Sequence, residues 1–175
     1  MKTSRILELA GLPNHQAKLL EVVERSVLSV MGKQPTYFDD IFNCVGKELT
    51  SLNGSPTRVG KSFSCMDNKL TSLEGSPKHI EKDFICTFNN LTSLQHIYKH
   101  IKYIGGFADF SHNNINANVL GLLMIDGLTS VILDNKKVAI IINRYLKDSK
   151  KAQDRDVIAC QEDLIEAGFD DFAQL

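Results

Sequence analysis

The chain has 175 residues and a mass of 19.5 kDa, with 43% hydrophobic and 23% charged residues. That composition excludes a disordered tail and allows one compact domain or a short capped solenoid. Twenty Lys and Arg against 21 Asp and Glu leave a formal charge of −1, so the chain lacks the basic excess of a strong polyanion binder, although a local basic face could survive that balance.

No apolar run approaches the ~20 residues of a membrane helix. The opening MKTSRILELAGLPNHQ departs from a secretory signal, because Glu8 interrupts its apolar stretch and Pro13 follows at once. A soluble protein that stays in the cytoplasm where it is made is expected.

In chain order, the first predicted element is an amphipathic helix over 16–31. Leu19, Leu20, Val23, Val27, Leu28 and Met31 recur at helical spacing, Lys18, Glu21, Glu24 and Arg25 lie opposite, and Asn14 is placed to cap it. This forms an N-terminal helical cap, 1–34, ending in the turn-rich GKQPT.

Residues 35–115 hold a repeat. LTSLNGSPTRVGKSFSCMDNK, 49–69, and LTSLEGSPKHIEKDFICTFNN, 70–90, match at 11 of 21 positions without a gap. Unrelated segments would give about one or two matches, so a structural unit has been duplicated. A third copy opens at Leu91, takes a three-residue insertion and resumes as KYIGGFADFSHNN; IFNCVGKELTSL is a worn first copy. Phe84 and Cys86, two apart, face one side of a short strand, and Gly75-Ser76-Pro77 bends the chain back on the opposite arc. Stacked coils would then align leucines (Leu49/Leu52, Leu70/Leu73, Leu91/Leu94), phenylalanines (Phe63, Phe84, with Ala108 in the third place), cysteines (Cys44, Cys65, Cys86, then Phe110) and asparagines (Asn68, Asn89, Asn113). The asparagine side chains are expected to satisfy backbone groups at the turn after each strand.

A C-terminal cap, 116–175, follows. LTSVILDN, 128–135, reads as one more strand with Val131 and Leu133 inward. KKVAIIINRYLKD, 136–148, reads as a helix, and the segment from Asp156 to Ala167 as another, stopped at Gly168. The end is acidic: Asp154, Asp156, Glu162, Asp163, Glu166, Asp170 and Asp171 stand against Arg155 alone.

The LTSLEGSP…F-x-C-x-x-N unit, with L-x-L-x-x-N-x-L spacing, resembles the short leucine-rich-repeat-like proteins of tailed bacteriophages and some bacteria, over roughly residues 40–175. The ending of the chain is similar to theirs. The resemblance implies an α/β fold: a short leucine-rich-repeat solenoid of parallel strands with an N-terminal helical and a C-terminal α-helical cap. It also implies a phage or prophage origin, action in the host cytoplasm and a host protein as target, and it supplies no catalytic residues. The third copy departs from the pattern, with Gln95-His96-Ile97-Tyr98 in place of Gly-Ser-Pro, through packing against the cap or as a recognition feature.

Chemistry-bearing residues are sparse. Cys44, Cys65 and Cys86 lack the close pairing of metal sites and read as buried packing groups, as does Cys160; disulfides are not expected in a reducing cytoplasm. His79, His96, His100 and His112 fall on different arcs of the coils and lack an oriented partner for catalysis. Phosphate-binding loops and the common hydrolase and deaminase motifs are absent from the sequence. No catalytic residue, cofactor or metal is expected.

The informative positions are those that alternate with the inward ones. Ile41, Asn43 and Val45, then Ser62, Ser64 and Met66, then Asp83, Ile85 and Thr87, then Phe107, Asp109 and Ser111 form an outward strip. Inward residues repeat because each stacks on its own copy; these differ from coil to coil. A mixed apolar and acidic strip suits a protein partner. The leading expectation is a non-enzymatic module that binds, and modulates or inhibits, a host protein. The acidic C-terminal segment as a nucleic-acid mimic and a phage assembly component oligomerising through its stack are the alternatives. Direct nucleic-acid binding is disfavoured, because aromatic and basic residues do not interleave along the chain.

Overall fold

The structure is a computed structural model and describes residues 25–175. Most of the N-terminal cap, including the 16–24 part of the expected helix and its Asn14 cap, lies outside the described residues. Of the remainder, α1 (Val27–Met31) is helical, with the Ser26 hydroxyl accepting from Ser29 N.

Each coil carries two very short strands rather than the one expected. The first sheet comprises β1 (Tyr37–Phe38), β3 (Arg58–Val59), β5 (His79–Ile80) and β7 (Tyr103–Ile104). The second comprises β2 (Phe42–Asn43), β4 (Phe63–Ser64), β6 (Phe84–Ile85), β8 (Phe107–Asp109) and β9 (Ser130–Ile132). Within each sheet the strands are parallel, in the orders β1-β3-β5-β7 and β2-β4-β6-β8-β9. The described residues thus form a stack of coils, a short parallel-strand repeat solenoid with a helical C-terminal region. The Val59–Ile80–Ile104 column gave no strand signal of its own, because it lacks the F-x-C pair that marks the strands of the second sheet.

The columns stack as the repeat demands. Phe42 pairs with Phe63, Phe63 with Phe84, Phe84 with Ala108 and Ala108 with Val131. Ring centroids lie 5.5 Å apart for Phe42–Phe63 and 5.8 Å for Phe63–Phe84. Where Ala108 leaves the column empty, Phe110 turns in from the cysteine column and meets Phe84 edge-on at 5.5 Å. The substitution of two positions in the third copy is therefore one exchange of volume between adjacent columns.

The asparagine ladder closes the turns. Asn68 Oδ1 accepts from Lys47 N and Leu49 N, and its Nδ2 donates to Cys44 O and Cys65 O. Asn89 and Asn113 repeat this, accepting from Leu70 N and Leu91 N and donating to carbonyls of two successive coils. Each buried amide joins its own coil to the preceding one.

The three-residue insertion becomes α2 (Ile97–His100), which buries Ile97 and lies against a 3-10 turn, Leu120–Met124. A Cβ on Gly121 would stand only 3.2 Å from Ile97 Cγ2 and Tyr98 Cδ1. Of the two readings of this departure from the repeat, packing against the cap holds.

The C-terminal cap follows the expected elements. α3 (Lys136–Asp148) is capped by Asn135, and α4 (Val157–Glu166) by Asp156. Val131 and Leu133 are buried. From α3, Asn143 presents its amide to the outer edge of β9: Oδ1 accepts from Val131 N at 2.6 Å and Nδ2 donates to Val131 O at 2.9 Å. A side-chain amide thus occupies the place of a further strand. Arg155, 5% exposed, points inward instead of offsetting the acidic tail. Its guanidinium donates to the carbonyls of Leu123, Ile125, Leu128, Ser149 and Lys150, tying the 3-10 turn to the chain before α4.

Candidate functional site

The outward face of the second sheet is set by the register. Asn43, Ser64, Ile85, Asp109 and Ile132 form its central row. Asp83 and Phe107 belong to the row before, with Ser62 and Ile41. Backbone hydrogen bonding continues past the strands, Gly46 N to Met66 O, Asp67 N to Thr87 O and Phe88 N to Ser111 O, and carries Val45, Met66, Thr87 and Ser111 into a third row. All twelve residues of the predicted strip therefore lie on one side of consecutive rungs.

They are not equally available. Ile41 is 53% exposed, whereas Thr87 is 5% exposed and offers a partner almost nothing. The two carboxylates are partly committed to the fold. Asp83 Oδ1 accepts from Phe107 N, and its Oδ2 lies 3.4 Å from the Ser62 hydroxyl. Gly106 leaves the room for this, since a Cβ there would fall 2.1 Å from Asp83 Oδ1. Asp109 Oδ1 accepts from both the backbone N–H and the hydroxyl of Ser111. Asp109 thus holds its own turn through one oxygen, whereas both oxygens of Asp83 are engaged by neighbouring coils.

Two features of this surface were missed from sequence. Ile132 extends the central row onto the cap and is 45% exposed. Phe88, 51% exposed, sits just past β6 with φ 54° and stacks on His112, φ 56°, with ring centroids 4.1 Å apart and planes 12° from parallel. The left-handed position recurs in each coil, at Gly46, Asp67, Phe88 and His112. Gly and Asp suit it; a bulky aromatic does not. The available signal was a Phe immediately before a ladder asparagine, where the preceding copy carries Asp67 and the next carries His112.

The histidines are dispersed, with His79 on the first sheet's outward row, His96 and His100 at α2 and His112 against Phe88. Among the described residues, no group of three or more His, Cys, Asp or Glu is placed to hold a metal ion. The four cysteines are buried and free. Burial pushes the Cys44 and Cys160 thiols up to about 12, and that of Cys65 well above its ordinary value, so they stay protonated and poorly nucleophilic.

At the acidic end, Asp163 accepts from Arg144 and from the Tyr145 hydroxyl, both at 2.7 Å. That hydrogen bond to the carboxylate pushes the Tyr145 phenol up to about 12. Asp156 is spent as a helix cap. Glu162, Glu166, Asp170 and Asp171 remain exposed. No helix among the described residues is long and apolar enough to cross a membrane. No family model, curated protein or solved structure matches the chain.

Proposed function

We propose that this chain is a non-enzymatic, phage-derived binding module that occupies a host protein through the outward face of its second sheet. The observation that carries the reading is the contrast between the two sides of the same strands. Inward, Phe, Cys and Asn repeat; outward, the central row runs Asn43, Ser64, Ile85, Asp109, Ile132 with no repetition. Stacking constrains the first set and nothing in the fold constrains most of the second. Ile41, Ile85, Phe88, Phe107 and Ile132 supply apolar anchors, and Asp83 and Asp109 supply charge.

The test is affinity capture from host lysate with the parent chain and with Ile85→Asp and Phe107→Asp. A partner held by the parent and released by both variants supports the reading. Equal retention by all three rejects the strip as the site.

A second reading places the contact on the acidic end, acting as a mimic of a nucleic-acid backbone. The inward turn of Arg155 favours it, because the one cation in that stretch does not neutralise its surface. Removal of 150–175 cannot test it cleanly, since the buried Cys160 and Leu164 would go too. Replacing Glu162, Glu166, Asp170 and Asp171 by their amides keeps the cap and removes the charge; loss of the captured partner in that variant alone would favour this second reading.

A further inference from the structure

The first sheet presents a different surface. Its outward row, fixed by register, is Tyr37, Arg58, His79 and Tyr103, and a further parallel bridge sets Asp126 beside Tyr103 at its end. Aromatic and basic residues that lie 21 to 24 positions apart in the chain become neighbours across coils, and four rungs place them along about 14 Å. The rings have room to lie on the sheet. A Cβ at Gly60 would come within 2.9 Å of Tyr37 Oη, and one at Gly127 within 2.6 Å of Tyr103 Cε2. His79 and Tyr103 are nearly parallel, 25° between planes, with centroids 6.3 Å apart.

The charge beside this row is cationic. Lys78 and Lys102 stand immediately before His79 and Tyr103, and Lys150 and Lys151 line an open cleft together with Tyr103. None of these four lysines has a carboxylate within ion-pair distance among the described residues, although Lys102 Nζ donates one hydrogen bond to Tyr98 O at 2.7 Å. Arg58 is paired with Glu81, and Asp126 shares the cleft, so the lysines carry the excess. Planar rings flanked by lysines without carboxylate partners are what a single strand of nucleic acid requires: faces for its bases and counter-charges for its phosphates.

We infer that the outward face of the first sheet binds single-stranded nucleic acid, with Tyr37 and Tyr103 stacking on bases and Lys78, Lys102, Lys150 and Lys151 meeting phosphates. The row is long enough for about four nucleotides, the lower end for such grooves. It belongs to the other sheet from the protein-binding strip and does not rest on that reading.

The experiment is fluorescence anisotropy of a labelled oligothymidine of about 15 nucleotides with the full chain at about 50 mM salt. Binding that weakens as salt rises is expected. Tyr37→Ala, at an exposed ring, should weaken it by about five-fold or more. Lys78→Glu with Lys102→Glu should weaken it further and flatten the salt dependence. Ile85→Asp, on the other sheet, should leave it unchanged, and circular dichroism checks that each variant is folded. Three results would overturn the inference: no binding by the parent chain, loss of binding in Ile85→Asp, or an abasic oligonucleotide bound as tightly as oligothymidine with Tyr37→Ala without effect. The last would mark the face as a general polyanion surface.

Discussion

Asn89 shows how much one side chain carries in a fold with so little regular ladder. Its amide serves backbone groups of two coils and is only 5% exposed. Asn89→Ala should lower stability by about 1–3 kcal/mol, read as a shift in urea midpoint, because a buried donor and acceptors lose their partner. Asn89→Asp should cost more at neutral pH, since a carboxylate cannot donate to Cys65 O and Cys86 O. Phe84→Ala should cost about 3–5 kcal/mol as a truncation at the centre of the ring column. Phe88 behaves oppositely. Phe88→Asn should leave stability unchanged or raise it, because asparagine tolerates a positive φ that costs other residues about 1–2 kcal/mol. The same variant should weaken capture of a protein partner if the aromatic is kept for binding. A melting temperature that falls by several degrees would instead assign Phe88 to the fold.

At the level of elements, the coils were legible because each inward column repeats the same residue type at a fixed interval. The helices after 135 were legible from their caps and apolar faces. The first sheet was not, for its inward column, Val59–Ile80–Ile104, is only generically apolar and carries no distinctive repeated residue type. The outward row of that sheet was hidden for the same reason: Tyr37, Arg58, His79 and Tyr103 become a pattern only once the register is known. Arg155 read as part of a charged tail, and its role as an internal clamp has no sequence signature. Arg155→Lys should fail to preserve the cap, since an ammonium cannot reach carbonyls that the planar guanidinium spans. A stability loss on the order of 2 kcal/mol or more is expected by chemical denaturation; full retention would show that fewer of those hydrogen bonds matter.

For the whole molecule, the thiol column links stability to alkaline pH. Cys44 and Cys160 have folded values near 12 against 9.0 for the free group, and Cys65 is raised as well. The folded state therefore holds protons that the unfolded chain releases. Their contribution is complete below pH 9 and is lost as pH rises from 9 toward 12. Urea midpoints should fall steadily over that range, and a Cys65→Ala variant should show a shallower fall. Thiol reagents should label the native chain slowly and the denatured chain at once; rapid native labelling of all four cysteines would contradict the buried column.

The amide of Asn143 against Val131 gives the stack a sealed far edge. A module appended behind it would find no open backbone to join. The duplication at 49–69 and 70–90 sits well inside the molecule, where every neighbouring rung accepts a copy of itself. Lineages of this protein should thus lengthen by internal insertion, one rung at a time, while the terminus stays constant. An added copy of residues 70–90 spliced after Asn90 should fold into a taller stack, and the same copy fused beyond Leu175 should hang unfolded.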